Sequence, residues 1–186
     1  MQIIEILKHS AEILSLTEEN EILQSATVTN EQEILKNAEI LKLFNLLKLC
    51  LQELCTQYIP VVTSVEITTQ NKKYPVSSLT NFIRVQNIHK NDRLIKHKLV
   101  NRNLVFNEDG VYTISYLTYP EINSIFEDLD YFKYLGIDVI VNGLCAYYSI
   151  SKGMFDDFKI FNDAYKDKAN SIKNLKIIEL PARRWV

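Results

Sequence analysis

Apolar residues recur at helical spacing from the start of the chain. Ile3, Ile6, Leu7, Ile13 and Leu14 share a face and predict a helix over residues 2–16. Residues 17–29 are more polar and predict a bend. Thr29, with Gln32 three residues on, has the arrangement of a capping box and opens an expected long helix from about 30 to 58. Its apolar positions include Ile34, Leu35, Ala38, Leu41, Leu46, Leu49 and Leu54. At 1.5 Å per residue it would run roughly 45 Å. Pro60 ends it, because the residue before a proline disfavours helical dihedrals.

The pattern then changes period. Val61 to Gln70 is rich in Val, Ile and Thr and predicts a strand. Asn71-Lys72-Lys73 reads as a turn, with a short return strand over Lys73–Val76. Phe82 to Ile88 alternates apolar and polar residues. Asn107-Glu108-Asp109-Gly110 is the clearest turn, and predicts a hairpin between Leu104-Val105-Phe106 and Val111–Tyr116. Tyr112, Ile114 and Tyr116 would share one face of that strand.

After Tyr119-Pro120 the helical spacing returns, from Glu121 to about Ser151, with Leu135, Val139, Leu144, Ala146 and Tyr147 as apolar surface. Gly136 and Gly143, seven apart, suit close packing against another helix. Lys152-Gly153 is a turn. A final helix over Gly153–Ile172 is expected to place Phe155, Phe158, Phe161, Tyr165, Ala169 and Ile172 on one stripe. Residues 175–186 read as an extended tail. The string Glu-Ile-Leu recurs at irregular spacing and marks helical composition, not a solenoid.

Composition narrows the class. Of 186 residues, 47% are hydrophobic and 24% charged, which suits one globular core or one core with an insert. The formal net charge of -2 argues against a dedicated nucleic-acid binder, which would be clearly basic. The amino end lacks the basic flank and apolar run of a signal peptide. No run of apolar residues is long enough to predict a membrane span. Cys50, Cys55 and Cys145 have no metal-type spacing and predict reduced thiols in a cytosolic setting.

Few groups suggest chemistry. Cys50 and Cys55 are read as small apolar core residues rather than ligands. Asp156-Asp157 complements the positive end of the last helix. Glu127, Asp128 and Asp130 are read as surface charge, and His9 as a surface residue. There is no Gly-rich phosphate loop, nucleophile elbow or paired-His metal motif, so no catalytic, cofactor-binding or metal-binding residues are assigned and no enzymatic activity is expected. His89 and His97 bracket a basic stretch of Arg84, Lys90, Arg93, Lys96, Lys98 and Arg102. These six are candidate phosphate contacts, against the alternative of a solvated turn region. Arg183, Arg184 and Trp185 near the carboxy end combine two charge-assisted donors with a large ring, residue types enriched in interface hot spots.

The expected fold is α+β: a helical bundle of about four helices (residues 1–60 and 120–174), a small antiparallel β insert (61–119) between the second and third main helices, and an extended arm (175–186). In order and spacing, Leu35 to Arg184 resembles the head-to-tail adaptor family of tailed phages, including tail tubular protein A and head-completion proteins. The resemblance is carried by the long helix ending at Tyr58-Ile59-Pro60 and by Leu104–Tyr116 around Asn107-Glu108-Asp109-Gly110. It continues through Tyr119-Pro120, Gly143-Leu144-Cys145-Ala146-Tyr147-Tyr148 and Phe158–Tyr165. It implies a virion structural protein of the neck or tail, made in the host cytoplasm. About twelve copies would form a ring through heterologous contacts, beneath the portal protein. The ring would extend the DNA channel and give a tail or nozzle protein its platform. DNA would pass without sequence-specific binding, and no membrane or cofactor is implied. A carboxy-terminal arm commonly reaches into the portal in this family, which makes Arg183, Arg184 and Trp185 the docking candidates. The alternatives are another virion ring protein, such as a tail terminator or stopper, or a nucleic-acid-binding module using residues 84–102.

Overall fold

The structure, a computed structural model, describes residues 1–132 and 135–175. Helix α1 (Ile3–Ile13) follows from the opening apolar stripe and buries Ile3, Ile4, Ile6, Leu7 and Ala11. Ser15, at a φ of 56°, turns the chain into α2 (Thr17–Gln24), where the sequence predicts only a bend. Glu18 and Glu19 in its first turn suit the helix dipole, but Leu23 alone is buried, so the apolar pattern hardly signals it.

The next helix starts at Thr27 rather than Thr29. The Thr27 backbone N–H donates to Asn30 Oδ1 at 2.7 Å, opening a short 3-10 turn (Val28–Asn30) and α3 (Glu31–Ile34). The predicted long helix then breaks at Asn37. Its Oδ1 accepts the backbone N–H groups of Glu39 at 2.9 Å and Ile40 at 3.1 Å. This N-cap satisfies donors that a new helix leaves orphaned, and α4 (Ala38–Gln57) begins there.

Seven strands follow: β1 (Val61–Thr68), β2 (Lys73–Pro75), β3 (Phe82–Lys90), β4 (Arg93–Leu94), β5 (Lys98–Val100), β6 (Asn103–Val105) and β7 (Val111–Thr118). They form two antiparallel sheets, ordered β1-β7-β3-β4 and β2-β6-β5. β1 and β7 pair in unbroken register from Val61 opposite Thr118 to Thr68 opposite Val111. β3 shifts register twice against β7, between Phe82 and Arg84 and between Val85 and Asn87, which sharpens its twist.

Residues 107–110 do form a turn, but they close no hairpin. β6 joins β2 and β5, whereas β7 joins β1 and β3, so the turn carries the chain from one sheet to the other. It is held from the β1 side. Thr69 N–H donates to Gly110 O at 2.9 Å, Gly110 N–H donates to Thr69 Oγ1 at 3.0 Å, and Lys72 N–H donates to Asp109 Oδ1. The true tight turns are Asn71-Lys72, Asn91-Asp92 and Asn101-Arg102, each with both residues at positive φ. Two-residue hairpins need that geometry, and asparagine tolerates it best after glycine. Tyr112, Ile114 and Tyr116 share the inner face of β7, and pack with Ile67, Leu79, Ile88, Leu104 and Phe106. The Phe106 and Tyr112 rings lie 4.3 Å apart.

Residues 121–132 are not the start of a long helix. Ile122, Ile125 and Leu129 have helical spacing, but they anchor an irregular segment instead. Its backbone donors go elsewhere: Ile125 N–H to Glu31 Oε1 at 2.7 Å and Leu129 N–H to Met1 O at 2.8 Å. α5 (Ile137–Ser151) is buried on most of its circumference, as expected of a helix that is apolar all round. It packs against α1 and against α6 (Phe155–Leu175). Gly143 is where α5 meets its neighbours: a Cβ there would lie 2.5 Å from Cys50 Sγ and 3.0 Å from the Tyr165 ring. Gly136, by contrast, sits at the N-cap of α5 and packs against no helix.

The chain divides into two compact units. One comprises Met1–Leu54 with the chain from Ile122 onward, the other Cys55–Glu121. The expected bundle of about four helices with a small β insert is overturned: the described residues form six α-helices and two antiparallel sheets of seven strands. Breaks at Ser15, Thr27 and Asn37 divide the amino-terminal segment into four helices, and the asparagine-led turns multiply the strands.

Candidate functional site

The six basic candidates are spread over the β unit. Arg84 lies on β3, beside a depression of about 310 Å³ that also touches Pro60, Val62 and Leu117. Lys90 ends β3 and is engaged: its Nζ donates to Glu108 Oε1 at 2.6 Å. The Glu108 carboxylate raises the Lys90 pKa, and Lys90 lowers that of Glu108. Arg93 lies on β4, Lys96 in the following loop, Lys98 on β5 and Arg102 in the β5–β6 turn. These four are exposed and make no ion pair among the described residues. Lys96 and Lys98, with His97, line a depression of about 820 Å³ whose apolar part is Ile88, Leu94, Ile95 and Val105. The run therefore resolves into a neutralised residue, an outlying one, and a basic rim around an apolar floor.

Two leucines stand out among these cations. Leu94 is 67% exposed and Leu99 57%, and Val100 beside them is also exposed. A short strand with three consecutive exposed residues has neither face covered. Pattern reading misses these positions because they look like ordinary strand apolars. The available signal is that Leu94 and Leu99 sit among Arg93, Lys96 and Lys98.

The helical unit also exposes large apolar side chains, on more than one face. Phe155 is 70% exposed and Ile160 66%, with Ile150 and Met154 exposed near the α5–α6 turn. Phe155 was expected on the buried stripe, but the stripe begins at Phe158 and runs through Phe161 to Tyr165 and Ala169. Ile160 lies out of phase with it. Nearby, a hollow of about 240 Å³ is lined by Glu53, Gly143, Tyr147, Phe158, Tyr165 and Lys166, among others. Tyr147 Oη donates to Glu53 Oε2 across it at 2.9 Å.

The interior offers stabilisation rather than reactivity. All three cysteines are buried and free. Burial pushes the Cys55 and Cys145 thiols up to about 12 and raises Cys50 as well, so none is a thiolate near neutrality. Glu39 is the clearest polar hub of the helical unit. It accepts from Lys152 Nζ at 2.8 Å and from Tyr148 Oη at 2.9 Å. The Lys152 ammonium, then the Tyr148 hydroxyl, hold its carboxyl below the usual range. Among the described residues no group of His, Cys, Asp and Glu is placed to hold a metal ion, and no helix is long and apolar enough to cross a membrane.

Arg183, Arg184 and Trp185, with the rest of the expected arm from residue 176, lie outside the described residues. No protein-family model matches the chain, and no curated protein matches it in sequence.

Proposed function

We propose that this chain is a virion structural protein, a head-to-tail adaptor that assembles as a ring beneath the portal, extends the DNA channel and gives the tail its attachment platform. One observation carries the reading: each of the two units exposes large apolar side chains, Leu94 and Leu99 on one, Phe155 and Ile160 on the other. Exposed apolar residues grouped among charges are typical of surfaces that become covered. Two different surfaces on one chain are what a closed ring requires, because heterologous contacts join one face of each copy to another face of the next. The order of the chain, helical then β then helical, supports the family resemblance, and the buried, protonated thiols offer no competing chemistry.

The test is negative-stain electron microscopy of the purified chain, alone and mixed with the portal protein of the same genome. A ring, or added density beneath the portal, is the expected result. Monomers that leave the portal unchanged would remove the adaptor reading. A ring that ignores the portal would point to a tail terminator or stopper instead.

A second reading, a nucleic-acid-binding module, is favoured by Arg93, Lys96, Lys98 and Arg102, which are exposed and make no ion pair among the described residues. It requires affinity for duplex DNA that falls steeply with salt. Absence of binding at about 50 mM salt, where such contacts are strong, would eliminate it.

A further inference from the structure

We propose that the two outward surfaces belong to one interface between consecutive copies: the outer face of α6 in one copy seats in the β4–β5 depression of the next. The inference rests on the ring reading and names the residues that would join its subunits.

The α6 face is defined by spacing. Asp156, Ile160, Asp163 and Asp167 follow at intervals of four, three and four residues, so they form one stripe along the helix. All four are exposed, and they lie opposite the buried Tyr165 and Ala169. None of the three aspartates makes an ion pair among the described residues. Lys159 and Lys166 flank the stripe on one side, and Lys168 on the other is engaged with Asp138. The result is an apolar knob, Ile160, set in a row of carboxylates.

The β4–β5 depression has the complementary character. Its floor is apolar, at Leu94 and Ile95, and its rim carries Lys96 and Lys98, with Arg93 next to Leu94 on β4. Its volume of about 820 Å³ has room for several side chains. Helices commonly dock by laying an apolar face into such a groove, with rim charges fixing the register. Acid on the helix and base on the groove select a helix-to-groove contact and disfavour helix-to-helix or groove-to-groove pairing. That selection joins two different surfaces of the chain, and repeated from copy to copy it generates a ring when the rotation between them closes.

Charge reversal tests this on the full chain. One variant carries Asp156→Lys, Asp163→Lys and Asp167→Lys; the other carries Arg93→Glu, Lys96→Glu and Lys98→Glu. All six sites are exposed, and unchanged unfolding midpoints confirm that the variants fold. If a reversal disturbs folding, the neutral series (Asp→Asn, or Arg and Lys→Gln) replaces it. Assembly is followed by sedimentation velocity and electron microscopy, alone and on the portal. Each reversed variant alone is expected to lose at least about tenfold in association constant at low salt, where charges act over about 10 Å or more. Mixing the two is expected to restore assembly, because each reversed face then meets its opposite on the other variant. Parent-like assembly of either variant alone, or folded variants that stay apart when mixed, would overturn the interface while the ring reading stands. Loss of DNA binding as the sole effect of the Glu variant would overturn it too, and assign the groove to nucleic acid. A parent chain that never assembles, even on the portal, would remove both readings.

Discussion

Gly143 shows how one missing methyl sets the spacing of three helices. Cys50 of α4 and Tyr165 of α6 both occupy the place a Cβ would take. Alanine is favoured over glycine inside a helix by about 1 kcal/mol, but overpacking a filled core costs about 1–3 kcal/mol. Both blocking side chains are buried, and the Cys50 sulfur lies well inside contact distance, so the steric term wins. Gly143→Ala is expected to destabilise by about 1 kcal/mol and lower the thermal midpoint by about 2–4 °C. Adding Cys50→Ala should recover part of the cost in a double-mutant cycle, because it removes the closer clash. An unchanged midpoint for the single variant would show that α5 can shift freely.

Glu39 carries the pH dependence at the same scale. Its folded pKa lies below the unfolded value, chiefly because of Lys152 and Tyr148. Its contribution is thus present above the unfolded carboxylate pKa and is lost as pH falls through the folded pKa. Lys152 has the opposite sign: its raised pKa keeps its contribution at neutral pH, to be lost only as alkali deprotonates it. Glu39→Gln should therefore be less stable than the parent at pH 7, with the gap closing on acidification. Urea midpoints between pH 7 and pH 3 measure it, and a gap that stays constant would remove Glu39 from the acid response. Both side chains are about a third exposed, so solvent screens the pair and the effect is small.

Elements are decided by caps and turns as much as by apolar period. Asn37 satisfies two backbone donors at the start of α4. Asn37→Ala is expected to cost about 1 kcal/mol, lowering the urea midpoint without changing its slope, whereas Asn37→Asp should retain most of the stability. Equal losses in the two variants would show that the side chain does not act as a cap. This residue also explains where sequence reading succeeds and fails. The apolar stripe of α1 and the alternation of β7 are legible because burial imposes their period, and β1 is legible from its Val, Ile and Thr content. The break at Asn37 is not, because the apolar period continues across it. Ile122, Ile125 and Leu129 mislead in the opposite way, satisfying a helical spacing from an irregular segment whose hydrogen bonds go to Glu31 and Met1. Strands β4 and β5 are too short to show a period; only Asn91 and Asn101, poised for positive φ, announce their turns. The outward surfaces were legible in part: the cations were evident, but the exposure of Leu94, Leu99 and Ile160 depends on packing that no local pattern records.

At the scale of the whole molecule, the proposed adaptor role separates folding from docking. A chain lacking residues 181–186 is expected to keep the parent's unfolding midpoint and lose co-sedimentation with the portal. Binding equal to the parent's would take Arg183, Arg184 and Trp185 out of the mechanism. The division into units has a further consequence during synthesis. Cys55–Glu121 is continuous, so all of its residues are translated before α5. The helical unit is interrupted. α4 emerges with Leu43, Leu47, Cys50 and Leu51 prepared for burial, but the partners α5 and α6 are still to come. At about 5–20 residues per second, the interval from Leu54 to Leu175 lasts roughly 6–24 s. Over that time the nascent amino-terminal half carries an uncovered apolar face, the kind of surface that chaperones bind, while the β unit is free to fold on schedule.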